Sequence, residues 1–187
     1  MLLPLLIVTA LFAIGALFAV MNIDLDAFVG EELTDLGEDA ITVESVKIFT
    51  QITLFITLLL SPLFATLIST VVYLIISKII GSEVSFKQLF SMNIFIVTLG
   101  AISLLFNVVI AVILGMDPLL TFTGLGIYFD VTDPLYSFAS VIEVFSIWSL
   151  ILTAIGLQRV AEFKPATAWI ITLVFTFGSA LINLLMS

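Results

Sequence analysis

The side chains able to do chemistry in this 187-residue chain are few. Histidine and cysteine are both absent, which removes imidazole acid–base groups, thiol nucleophiles, the usual zinc and haem ligands, and any disulfide. Carboxylates and amides set among apolar residues remain. Glu143 is the single charge in the stretch Tyr136 to Gln158, and an acid inside a membrane span is costly enough to suggest a proton or cation site. Depth counting along neighbouring apolar stretches brings Gln51, Asn107 and Asn183 to the level of Glu143. The four form a candidate polar cluster, either a site or interhelical hydrogen-bonding glue. A second candidate is the segment 22–46, which holds eight acids and no base: Asp24, Asp26, Glu31, Glu32, Asp35, Glu38, Asp39 and Glu44. Clustered carboxylates suit a divalent cation such as calcium or magnesium, although EF-hand spacing is missing and a solvated acidic cap is the plainer reading.

The elements that carry these residues follow from composition. Apolar residues make up 62% of the chain and charged ones 10%, with a mean hydropathy of +1.37, far from the 45–50% and about 25% usual in soluble domains. A hydrocarbon core about 30 Å thick needs roughly 20 uncharged residues of helix. Such windows occur at 2–21, 48–77, 88–116, 136–158 and 165–187. The expected fold is all-α: a polytopic membrane protein with a bundle of five transmembrane helices and acidic extracytoplasmic loops, in a single domain over 1–187. Windows two and three are long and imply tilt or extension past the lipid. Pro62, inside the second, is expected to kink it. Within 22–46 the apolar residues recur every three or four positions, which predicts an amphipathic helix interrupted at Gly30 or Gly37. Gly15 and Ala19, Gly100 to Ser103, and Gly178 to Ala180 supply small residues for close helix contacts.

Four of the five bases, Lys78, Lys87, Arg159 and Lys164, fall in the links between spans two and three and between spans four and five. The positive-inside rule then places the amino terminus in the cytoplasm and the carboxyl terminus outside. The first span has no basic leader and a run of 20 uncharged residues, so it reads as a retained helix rather than a cleaved signal. A span starting at residue 2 without an anchor leaves room for a natural amino-terminal segment that this chain lacks. A net charge of −9 argues against nucleic acid as a partner.

The two basic links carry a recognisable pattern. The run Leu74 to Leu89, with Gly81 and then Phe86-Lys87-Gln88, and the run Ile147 to Val160, with Gly156 and Arg159, resemble the bacterial branch of the Yip-domain family, the Ypt/Rab-interacting membrane proteins. The resemblance covers all five windows and implies five spans with a cytoplasmic amino terminus. It marks Gly81, Phe86, Lys87, Gly156 and Arg159 as family-like positions in the cytoplasmic links. Eukaryotic members act in vesicle traffic and bind Rab-type GTPases through a longer amino-terminal region, and no such surface carries over onto residues of this sequence.

Three function classes follow. The first is a non-enzymatic integral membrane protein that scaffolds other membrane proteins or organises the bilayer. The alternative is a small ion or lipid transporter or channel that uses the cluster around Glu143. The third, a membrane enzyme, would have to work with Ser, Asp or Glu alone; the Gly124-Leu125-Gly126 run near Asp130 lacks the pair of intramembrane aspartates that an aspartyl protease needs. The expected setting is a bacterial cytoplasmic membrane, with no cofactor and the oligomeric state open.

Overall fold

The computed structural model of the chain describes residues 2–26, 40–130 and 132–186, and side chains throughout these except at 40–42, 179 and 183–186. Six α-helices follow in order among the described residues: α1 (Leu2–Asn22), α2 (Ala40–Ile80), α3 (Phe86–Leu114), α4 (Tyr136–Val141), α5 (Val144–Val160) and α6 (Pro165–Met186), with a 3₁₀ turn at Leu125–Tyr128 before α4. The described fold is all-helical apart from one isolated β-bridge. Three helical segments are long and apolar enough to cross a membrane: Leu2–Asn22, Val43–Ile80 and Phe86–Leu114. Two shorter apolar helical segments, Val144–Val160 and Pro165–Gly178, accompany them.

Helix ends lie where local chemistry stops the backbone ladder. Gly81 (φ 88) ends α2 by taking the left-handed conformation that side chains resist, so that Ser82 N–H reaches Ser77 O at 2.8 Å. Four residues on, Ser85 opens α3 with a reciprocal cap: its hydroxyl accepts from Gln88 N–H while Gln88 Oε1 accepts from Ser85 N–H at 2.9 Å. Gly115 (φ 65) closes α3, donating its N–H to Ala111 and Val112 carbonyls. The α5–α6 link uses the same kind of turn without glycine. Glu162 has φ 58, and Phe163 N–H bonds back to Leu157 O at 3.2 Å. A non-glycine residue in this region costs on the order of 1 kcal/mol, so a Glu162→Gly variant is expected to melt slightly above the parent in a thermal unfolding scan.

Helix α3 is central, packing against α1, α2 and α5, while α1 also packs on α2, α5 on α6, and α4 on α6. At the end of the bundle near the two basic links, Tyr73, Val84, Leu89, Leu157, Phe163 and Ala168 make one buried cluster, so both links are tied down by their own apolar residues. A second cluster of Val8, Phe12, Ile94 and Ala101 joins α1 to α3. Gly15 permits that approach, since a β-carbon there would lie 2.9 Å from Leu104 Cδ2. Gly178, by contrast, meets nothing within 4 Å, so it is not a packing glycine among the described residues.

Two expectations need correction. The window 136–158 is not one helix: it breaks at Ile142 and Glu143 into α4 and α5. Glu143 therefore does not stand seven residues inside a helix, as counting from Tyr136 implied. The cause is a backbone pairing, described below, that no periodicity reveals. The acidic segment is also shorter than 22–46, because helix α2 begins at Ala40 and takes in Glu44 and Lys47. Lys47 pairs with Asp26 across that segment. The expected amphipathic helix with its break at Gly30 or Gly37, and most of the acids proposed to hold a divalent cation, lie outside the described residues. Within the described residues no three acids group to hold a metal. Pro62 sits inside the continuous α2.

Candidate functional site

Three structural choices bring Glu143 to its place. The chain leaves α3 at Gly115, crosses 116–122, and then turns back so that Gly124 pairs with Glu143 as an isolated antiparallel bridge. Leu125 N–H donates to Ile142 O at 3.0 Å and Val144 N–H to Thr123 O at 3.2 Å. Space is tight for any residue larger than glycine at positions 124 and 126. A β-carbon on Gly124 would lie 3.3 Å from Glu143 Cβ, and one on Gly126 would lie 3.1 Å from Ser140 Cα, a backbone atom that cannot swing away. We expect Gly126→Val to lower stability by about 2 kcal/mol, as overpacking against a fixed neighbour does, measurable by denaturant titration in detergent.

The Glu143 side chain is 4% exposed and both of its oxygens are used. Oε2 accepts from Ser146 N–H at 2.7 Å and so caps the first turn of α5. Oε1 accepts from Thr123 Oγ1 at 2.5 Å and from Ser103 Oγ at 3.3 Å. Asn107, one turn beyond Ser103 on α3, completes the network. Its amide nitrogen donates to Ser103 O (2.9 Å) and Thr123 Oγ1 (3.1 Å), and its carbonyl oxygen accepts from Thr123 N–H at 3.1 Å. A loop, a central helix and a helix N-terminus are thereby joined through Glu143, Asn107 and two hydroxyls.

Of the four residues proposed as a cluster, Asn107 and Glu143 share this network through Thr123 and Ser103. Gln51 is half-buried on α2 and makes no hydrogen bond to it. Asn183 lies on α6 with its side chain outside the described ones. Thr123 was missed by the sequence reading, and the only signal near it was the Gly124-Leu125-Gly126 spacing.

A second polar locus sits nearer the middle of the bundle. Asn93 of α3 is buried and donates to Thr70 Oγ1 at 2.8 Å and to Ser69 Oγ at 3.3 Å on α2. It borders a cavity of about 350 Å³ where α2 faces α5 and α6, lined also by Tyr73, Ser146, Ser149 and Thr176. The lining includes Ser146, whose N–H Glu143 caps, and does not include Glu143 itself.

The family-like residues cluster at the other end. Gly81 forms the α2 stop, and Phe86 stacks on Phe90 with ring centres 5.5 Å apart. Lys87 is exposed. Gly156 allows α5 to meet α3, since a β-carbon there would fall 2.5 Å from Met92 Sδ. Arg159, in the last turn of α5, is exposed and lines a groove between α3 and α5.

The Yip1 domain model covers residues 1–186. The chain belongs to the Yip1 domain family. A curated relative of this Yip1 domain protein is "Membrane protein YknW" of Bacillus subtilis (strain 168), 28% identical over 96% of this chain and 80% of that one. No solved structure matches it. The expectation drawn from the two links is met at the level of the family, and a membrane protein with apolar helices is what both sequence and fold give.

Proposed function

We propose that this Yip1 domain protein is a non-enzymatic scaffold or membrane-organising factor of a bacterial cytoplasmic membrane, built as five spans with its amino terminus in the cytoplasm. The observation that carries the reading is the state of Glu143. Both oxygens are consumed by the α5 cap and the Thr123 hairpin, so the one acid in the apolar bundle is placed to hold structure together. A transport site would present this carboxylate to an open path, whereas the groove beside Asn93 is lined by Ser146 and not by Glu143. Its working partners are the lipid bilayer and other membrane proteins.

Five spans require α5 and α6 to join the three longer helices. With 17 residues, α5 is about 25 Å long, short of a hydrocarbon core of about 30 Å. The Gly124–Glu143 bridge at its start extends that depth, and non-helical backbone is tolerated there because Leu125 N–H and Val144 N–H pair with carbonyls inside the protein.

Trp148 on α5 and Trp169 on α6 are the only tryptophans in the chain, and Trp148 is 56% exposed. In a Trp169→Phe variant, lipids brominated along the acyl chain are therefore expected to quench its fluorescence strongly, more than those brominated in the headgroup. Emission unaffected by acyl bromine would take α5 out of the bilayer and overturn the five spans. Sidedness is read from single cysteines introduced into a chain that has none. An impermeant reagent added outside cells should label Thr132→Cys and Asp35→Cys and spare Ser82→Cys and Glu162→Cys; the reverse pattern overturns the orientation. For the scaffold reading, sealed vesicles containing the protein are expected to pass no more protons or cations than empty ones. A flux that Glu143→Gln abolishes would instead establish a transporter.

A further inference from the structure

The groove between α3 and α5 at the basic end has the form of a phospholipid seat. Its volume is about 720 Å³ and it opens along the surface. Along its length the walls are Phe95 and Ile96 of α3 and Leu152 and Ile155 of α5, with Phe95 63% exposed. Gly156 lines the floor, against Met92 of α3. At its mouth the lining turns polar, with Gln88, Ser91, Arg159 and Glu162. Arg159 and Glu162 form no ion pair with each other or with any described residue. An arginine fork pairs well with phosphate oxygens, and a free carboxylate beside it calls for a cationic hydrogen-bond donor. Glu162 also holds its side chain on a left-handed backbone (φ 58), the conformation in which glycine would sit without strain, and residues kept in such conformations cluster at ligand sites.

We propose that this groove binds one phospholipid with a primary ammonium headgroup, of the phosphatidylethanolamine class. The phosphate lies at Arg159, the ammonium at Glu162, and one acyl chain runs past Ile155 and Leu152 toward Phe95. Both mouth charges are then matched, which neither a purely anionic headgroup nor a quaternary ammonium unable to donate hydrogen bonds achieves. The proposal rests on α5 lying in the bilayer, which the Trp148 quenching measurement decides separately. Quenching with no lipid preference would defeat the lipid seat alone.

The test is native mass spectrometry of the purified full chain in detergent carrying equal amounts of phosphatidylethanolamine, phosphatidylglycerol and phosphatidylcholine. The parent should retain the ethanolamine lipid over the choline lipid by roughly tenfold, the discrimination of one charge-assisted hydrogen bond, and should retain it over the glycerol lipid as well. Glu162→Gly should bring the three lipids near parity while the protein melts no lower than the parent, a combination that loss of folding does not produce. Arg159→Gln should lose all three, and Ile155→Trp should do the same by filling the groove. A parent that prefers the glycerol lipid, a preference that survives Glu162→Gly, or unchanged retention in Arg159→Gln would each overturn the proposal.

Discussion

Replacing Glu143 with leucine is expected to lower stability by about 3 kcal/mol, at roughly 1 kcal/mol for each of three accepted hydrogen bonds. At the size of this chain that corresponds to a fall of roughly 10 °C in melting temperature. Leucine keeps the volume but leaves Ser146 N–H uncapped and the Ser103 and Thr123 hydroxyls without their acceptor. Glutamine should cost far less. Its carbonyl oxygen can face Ser146 N–H, which only donates, while its amide faces Thr123 and Ser103, whose hydroxyls rotate to accept. The order parent, glutamine, leucine in thermal unfolding in detergent is the expected result. Equal melting of the leucine variant and the parent would show that the carboxylate is not a structural cap.

Asn107→Leu should have an effect of similar size by a different route. Asn107 is the partner of a loop backbone group, Thr123 N–H, which leucine leaves unpaired inside the bundle. An orphaned buried donor costs about 1–3 kcal/mol, and two donated bonds to Ser103 and Thr123 go with it. The expected consequence is local: the hairpin detaches from α3 before the helices separate. The segment 117–135 holds Phe122, Tyr128 and Phe129 and no Lys or Arg, so chymotrypsin reads its opening and trypsin does not. Cleavage there should rise about a hundredfold if the opening free energy falls by about 3 kcal/mol. An unchanged chymotrypsin rate would mean that the bridge to Gly124 and Glu143 holds the loop without Asn107.

Charge-free length was enough to locate most of the helices. The windows beginning at residues 2, 88 and 165 lie on α1, α3 and α6 to within two residues at each end, because a helix in lipid must be long and uncharged whatever it packs against. The Gly81 stop and the Ser85-to-Gln88 cap are equally local but were not read as turns. The break at Glu143 was not legible. It depends on residues 20 positions earlier, and the stretch around it is as apolar as a span. Depth counting brought Asn107 and Glu143 to one level because both truly lie toward the same end. It had no means of finding Thr123, which lies in a loop whose path is set by pairing. Nor could it detect that Gln51 stays out of the group's hydrogen bonds, since rotation about a helix axis is invisible to a count of depth.

The Thr123 hairpin also imposes an order in time. Its partners are Ser103 and Asn107 on α3, made early, and the first turn of α5, made later. Until Ile142 and Glu143 have left the ribosome, Gly124 has no strand to pair with and Thr123 has no carboxylate to meet, so the loop has reason to stay in water. Joining it to the bundle is then a closing step that only a chain complete through α5 can take. A chain stalled before residue 143 would present the Ser103 and Thr123 hydroxyls without the carboxylate that joins them, a mark by which unfinished copies differ from finished ones.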